Sequence, residues 1–268
     1  MRRAHAARRR LFFGAHVGGC AGQNAYCGNW FPAEIVLPLG STKAEIMTIF
    51  GPDISNNNGI VDLDEVKAEG FYFVFAKVSE GATFRDAFWP HTRDWAREIG
   101  LILAGYHYVR TSNPALQADN FVSQLGDSSI PAMLDFEANS GGIANFWAVL
   151  GAIEARGVHV ALSYIPRWYW QQIGSPDISG VPGLIASSFV SGTGFASALY
   201  PGDHSAFWAP YGGRQPDLLQ FTNQALIAGQ RLDANAFRGT PDQLRALLGL
   251  TPTTDLATAQ QHDVPGAA

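Results

Sequence analysis

From Met47 onward, apolar runs of strand length alternate with stretches of helical spacing. The runs fall at Thr48–Ile54, Phe71–Val78, Leu101–Val109, Ile130–Phe136, Val158–Tyr164, Gly183–Phe189 and Leu218–Thr222. Between the early runs lie amphipathic segments at Val61–Glu69, Asp86–Ile99, Pro114–Leu125 and Ile143–Arg156, and a last one at Thr240–Leu248. Their ends carry helix signals. Asn113-Pro114 is a cap followed by a first-turn proline, and Gly157 follows Arg156 as a stop. Asp62, Asp64 and Glu65 are the acids of a helix start. Repeated strand–helix units predict a parallel sheet, closed as a barrel or doubly wound. After about residue 175 the helical spacing thins out, and glycine-rich loops such as Ser191–Gly194 and Pro210–Gly213 take over. The expected architecture is an α/β, TIM-like barrel with regular βα units in its first half and mostly strands in its second.

Composition bounds the rest. A chain of 268 residues that is 47% hydrophobic and 15% charged is globular and has room for one large core. No apolar run is long enough to span a bilayer. The net charge of −5 is unevenly placed: residues 1–46 carry +4 and the remainder −9. An acidic domain without a basic stripe argues against a nucleic-acid partner. Residues 1–46 read as an upstream extension, with Met47 as the natural start, residues 47–249 as the barrel and residues 250–268 as a polar tail. The two cysteines, Cys20 and Cys27, both fall in the extension, too few with His16 for a metal site.

The chemistry concentrates at the ends of the apolar runs. In a barrel, the C-terminal ends of the strands build the site. There the chain carries Asp53, then Lys77 and Glu80, then Tyr106, His107 and Tyr108, then Asp135 and Glu137, then Tyr164, then Gln220, and later Asp233. The pair in Leu134-Asp135-Phe136-Glu137 is the sharpest signal. Period-two alternation sets both carboxylates on one face and Phe136 on the other. Two neighbouring carboxylates cannot both ionise at their ordinary values, so one becomes a proton donor near neutral pH, as glycosidic bond hydrolysis requires. Acids, amides and aromatic rings on one rim suit a sugar. They do not suit phosphate, for which a glycine-rich cradle is missing, and no second histidine stands at zinc-ligand spacing. Lys77 is placed to pair with Asp53 or Glu80. Tyr106, Tyr108 and Tyr164 serve equally as core residues or sugar contacts, and the tryptophans in or beside helices, Trp168 among them, read mostly as packing.

Five blocks resemble glycoside hydrolase family 25, the Chalaropsis-type lysozymes: Asp53-Ile54-Ser55, Ala76–Gly81, Gly105–Tyr108, Leu134–Glu137, and Gln220–Thr222 leading to Asp233-Ala234-Asn235. They occur in the family's order, each at a predicted strand end. The resemblance implies a barrel of five βα units followed by strands. It implies an N-acetylmuramidase that cleaves the β-1,4 bond between N-acetylmuramic acid and N-acetylglucosamine in peptidoglycan. Glu137 would be the general acid/base, Asp135 would orient the reacting centre, and Asp53 and Asp233 would line the pocket. The expected substrate contacts are Tyr106, Tyr108, Tyr164 and Gln220. The family's tryptophan and tyrosine in the sixth strand are missing from Leu184–Phe189, so Trp208 or Tyr211 in the following loop is expected to supply that platform. The enzyme would need no cofactor or metal and would act as a monomer at the bacterial wall, after secretion or release from a host cytoplasm as a phage endolysin. A substrate-assisted chitinase is the first rival, but that class wants a third aspartate where Met133 stands. A glycan-binding barrel without activity is the second, and all four acids argue against it.

Overall fold

The computed structural model describes residues 47–252. The expectations for the extension, for Cys20 and Cys27, and for the tail beyond Pro252 lie outside the described residues. Strand β1 (Thr48–Ile54) is followed by α1 (Leu63–Ala68), β2 (Phe73–Glu80), a two-residue β3 (Phe84–Arg85), α2 (Trp89–Glu98), β4 (Ile102–Tyr108), α3 (Pro114–Leu125), β5 (Ala132–Asp135), α4 (Ile143–Glu154), β6 (Val160–Tyr164), α5 (Arg167–Gln172), β7 (Gly183–Ser187), α6 (Ala196–Leu199), β8 (Leu218–Ile227), β9 (Gln230–Arg238) and α7 (Pro241–Leu247). The sheet runs β1-β9-β8-β7-β6-β5-β4-β2, and a parallel β1–β2 pairing closes it into an eight-stranded barrel, with β3 folded back on β2. The barrel strands are parallel except β9, which runs antiparallel to both β1 and β8. None of the described helices is long and apolar enough to cross a membrane.

Alternation along the strands separates two cores. Inward-facing Ile49, Phe73, Phe75, Ile102, Ala104, Tyr106, Met133, Leu162, Ile185, Leu218 and Phe237 fill the barrel, and Leu244 and Leu248 of the C-terminal segment join them. Leu247 approaches Gly183, the first residue of β7, so α7 stoppers the end of the barrel where the parallel strands begin. Outward residues such as Val74, Leu103, Leu134 and Phe221 form the larger core against the helices. Interior space is tight at Gly51. A Cβ there would lie 2.2 Å from the Phe73 carbonyl oxygen and 2.3 Å from its ring. Only glycine lets β1 run past β2 two residues before Asp53.

Local chemistry explains the helix limits. The Asn113 side chain accepts from the Ala115 and Leu116 amides, Pro114 opens α3, and Gly126 ends it in the left-handed conformation. Asp62 caps α1 by accepting from the Glu65 amide. The main departure from expectation is β9. The strand expected to stop at Thr222 runs on to Ile227 and turns through Ala228 (φ 48°) and Gly229 (φ 70°) into β9. Positive φ at both loop residues matches the twist of a two-residue hairpin. Ala-Gly is a poor signal for such a turn. Register shifts between Gln220 and Thr222, and between Thr222 and Ala225, also break the alternation that would have marked the strands.

Candidate active site

The inward side chains at the C-terminal ends of the parallel strands open into one cleft of about 550 Å³. Asp53, Lys77, Tyr106, Tyr108, Asp135, Glu137, Tyr164, Ser187 and Gln220 line it, and the reversed β9 adds Asp233 and Asn235. The four acids anticipated from the sequence therefore meet in one cavity, although Asp53 and Asp233 are far apart in the chain. Register accounts for it. Asp53 lies directly opposite Asp233 in the β1–β9 ladder, and Asp135 pairs with Tyr108 on one side and Tyr164 on the other.

The β5 end behaves as its alternation predicts. Phe136 turns outward into edge-on contact with Phe146 and Tyr169, while Asp135 and Glu137 turn into the cleft. The loop after Glu137 is strapped down. The Ser140 hydroxyl accepts from the Glu137 amide at 3.1 Å and donates to the Val109 carbonyl at 2.7 Å. Asn145 donates to the carbonyls of Ser140 and Arg110, and Tyr169 donates to that of Gly141. On β2 a bulge between Lys77 and Ser79 re-aims the strand. Ser79 turns out to His107, and Glu80 comes round to Lys77 (2.6 Å) and Arg110 (2.6 Å). Lys77 thus pairs with Glu80 rather than Asp53. Glu80 stays below its ordinary range because these bonds outweigh its burial. His107 is not part of the cleft. It is buried between Ser79 and Gln117, and burial lowers its pKa to about 4, so it is neutral.

Electrostatics divides the acids. Burial raises Glu137, and Asp53 adds to the rise while Lys77 and Arg110 oppose it. Burial raises Asp135 further, with Glu137 as the next cause. The Asp135 Oδ1 atom is fully buried and has no hydrogen-bond partner among the described residues. Asp53 is also raised by burial, but Gln220 (2.8 Å) and Asn235 (2.7 Å) both donate to its Oδ2 and pull the other way. Gln220 is oriented in turn by the Tyr164 hydroxyl, which donates to its Oε1 at 2.8 Å. Burial, then Asp53 and Glu137, lift Asp233 to about 8.

Two expected sugar contacts need correction. Trp208 and Tyr211 do not line the cleft; both are buried. Trp208 donates to the Tyr200 hydroxyl and lies under the Arg238 guanidinium, and Tyr211 donates to the Ile165 carbonyl and packs on Trp170. Both belong to the loop that covers the outside of β7 and β8. Besides Phe75, Tyr106, Tyr108 and Tyr164, the aromatic residues lining the cleft are Trp168 (48% exposed) and Phe189 (46% exposed). Trp168 sits at the start of α5, just past the end of β6, and Phe189 just past β7. Their position after a strand end was the available signal. Asn57, Ser188 and Asn223 also line the cleft without having been anticipated.

A closed α/β barrel whose paired carboxylates are raised by burial and whose rim carries exposed rings is the arrangement that glycoside hydrolysis requires. The family described as Glycosyl hydrolases family 25 matches residues 52–196, more than half of the chain. The chain belongs to this family. It is 34% identical over 80 residues to an autolytic lysozyme of Clostridium acetobutylicum, covering 30% of this chain and 25% of that protein. It is 30% identical over 106 residues to lysozyme M1 of Streptomyces globisporus, covering 37% of this chain and 36% of that one. The matched regions thus span well under two thirds of these relatives. Among solved structures, a bacterial lysozyme from Streptomyces coelicolor superposes with a TM-score of 0.60 at 23% identity, covering 75% of this chain and 96% of that chain. A family GH25 lysozyme from Aspergillus fumigatus does so with a TM-score of 0.61 at 23% identity, covering 75% and 99%. These likenesses bear on the fold.

Proposed function

We propose that the barrel, residues 47–249, is an N-acetylmuramidase that hydrolyses the β-1,4 bond between N-acetylmuramic acid and N-acetylglucosamine in bacterial peptidoglycan, acting as a monomer at the cell wall. The names of the curated relatives and the family membership support the substrate class. The observation that carries the mechanism is the convergence of Asp135 and Glu137 on one cleft, both carboxyls raised by burial.

Glu137, whose affinity for a proton is raised by burial, gives its proton to the glycosidic oxygen as the C1–O bond breaks. The carbonyl oxygen of the 2-acetamido group attacks C1 from the opposite face and forms an oxazolinium ion. Asp135 accepts the acetamido N–H. That hydrogen bond favours the ionised carboxylate against the cost of burial. Glu137, now a carboxylate, takes a proton from water as the water oxygen attacks C1 and the oxazolinium C1–O bond breaks, which restores the acetamido group and leaves the product in the β configuration. Asp53, held by Gln220 and Asn235, fixes the wall of the pocket facing Asp233. Trp168 and Phe189 offer apolar faces to flanking rings.

The test is mass analysis of fragments released from purified peptidoglycan. The wild type should leave N-acetylmuramic acid at new reducing ends, and Glu137→Gln should lower the rate by about 10²–10⁴-fold. Reducing ends on N-acetylglucosamine, or an unimpaired Glu137→Gln variant, would refute the assignment. A glycosyl ester trapped on Asp53, Asp135 or Asp233 would replace the assisted route with a covalent one.

A further inference from the structure

Asp53 and Asp233 present a problem that the proposed chemistry leaves open. They are direct cross-strand partners on adjacent antiparallel strands, and both point into the cleft. Side chains in such a pair sit about 4.5–5.5 Å apart at Cβ, and like charges there repel. Among the described residues no cation forms an ion pair with either acid. Lys77, the basic residue lining the cleft, is bound to Glu80. Arg231 on β9 is exposed and makes no ion pair with Asp233, and Arg238 is engaged by Asp203 and Trp208. β8 presents only the neutral Gln220 and Asn223, while Tyr106, Asp135 and Glu137 face the pair from β4 and the end of β5.

The donors around the pair are distributed unequally. Asp53 Oδ2 receives two amide N–H groups, from Gln220 and Asn235, an environment that favours a carboxylate. Among the described residues no side-chain donor reaches the Asp233 carboxyl, so no protein donor favours its charge.

We infer that Asp53 and Asp233 hold one proton between them in the resting protein, that it resides on Asp233, and that Asp233 meets substrate as a neutral carboxylic acid donating a hydrogen bond to a sugar oxygen. The muramidase reading enters only in naming the acceptor, an uncharged hydroxyl or amide oxygen of an N-acetylated hexosamine. Asp233 is on this account a substrate-positioning donor, not a base. The direction of its shift, up to about 8, agrees with the geometry.

The direct test follows the assigned Asp233 carboxyl carbon by ¹³C NMR in the wild-type chain from pH 5 to 9. The carboxyl should be protonated at pH 6 and titrate near pH 8. Asp53→Asn, checked for folding by circular dichroism, should move that midpoint down. If that variant does not fold, the wild-type titration decides alone. The activity arm compares Asp233→Asn, which keeps a donor without charge, with Asp233→Ala. The asparagine variant should lose no more than about tenfold in kcat/KM and should lose the alkaline decline of the wild type. The alanine variant should fall about a hundredfold. An Asp233 carboxyl ionised throughout pH 5–9, or an asparagine variant as impaired as alanine, would overturn the inference. A wild type that releases no sugar from peptidoglycan would refute the muramidase reading instead, and the titration would still decide where the proton sits.

Discussion

Replacing Ser140 with alanine tests whether the acid of this barrel is positioned from behind. The hydroxyl is fully buried and joins two backbone groups, accepting from the Glu137 amide and donating to the carbonyl of Val109, itself fully buried just past the end of β4. Alanine keeps the volume nearly unchanged, so cavity formation contributes little. The cost comes from two backbone groups deprived of a partner. Each such group costs about 1–3 kcal/mol, and partial relaxation of the loop brings the pair to about 2–4 kcal/mol. The remaining ties of this loop run from Tyr108 and Arg110 to the Ala138 carbonyl, from the Ser140 amide to the Glu137 carbonyl, and from Asn145 and Tyr169 to Ser140 and Gly141, but none holds the Glu137 amide. The chain should therefore still fold, with Glu137 less well fixed. Misplacement of a reacting group by about 1 Å costs up to about a hundredfold in rate. Urea unfolding should show a lower midpoint with an unchanged slope, and kcat on peptidoglycan should fall about 10–100-fold with KM little altered. A stability change under about 0.5 kcal/mol together with unchanged kcat would show that the strap does not position the acid.

Gly51→Ala should prevent soluble expression or destabilise strongly, because its Cβ would sit 2.2 Å from the Phe73 carbonyl oxygen; a variant with wild-type melting behaviour would contradict the tight packing inside the barrel. Trp168→Ala should raise KM for glycan strands several-fold with little loss of stability, since the ring is half exposed on the cleft rim; an unchanged KM would return Trp168 to a packing role. Stability should fall as pH rises from about 5 to 9. Asp233 binds its proton more tightly when folded, at about 8 against 3.8, so the stability this supplies is complete below 3.8 and is lost as pH climbs through 8. Thermal melts across that range should show the decline, and Asp233→Asn should flatten it; a wild-type profile without slope would refute the shift.

Much of the site was legible because chemistry and periodicity coincide at strand ends. Asp135 and Glu137 could be assigned to one face by counting alone, and Phe136 to the other, since β5 keeps its pleat to the rim. The limits of α3 were legible for a different reason: its cap, its first-turn proline and its terminal glycine all act locally. The errors share a cause in long-range packing. Trp208 and Tyr211 follow β7, the sixth of the parallel strands, as a sugar platform might, but their loop folds back over the outside of the sheet, where Tyr200, Arg238 and Trp170 occupy their rings. Trp168 lies in a helix only six residues long, α5, and a residue there looks like packing until the strand before it is known to end at the rim. The β2 bulge is equally silent. Strict alternation would put Ser79 in the cleft and turn Glu80 away, yet one inserted residue reverses both.

The reversed last strand shows why the second half of the chain departs from regular βα units. A parallel eighth strand would need a crossover helix and would meet β1 in a different register. The two-residue hairpin through Ala228 and Gly229 instead brings β9 back between β8 and β1, with Asn235 beside Gln220 and Gly51, and Asp233 opposite Asp53. One antiparallel strand thus supplies both an amide that favours charge on Asp53 and a second acid whose charge Asp53 disfavours. The closure of the barrel and the unequal protonation of its acids therefore follow from the same turn.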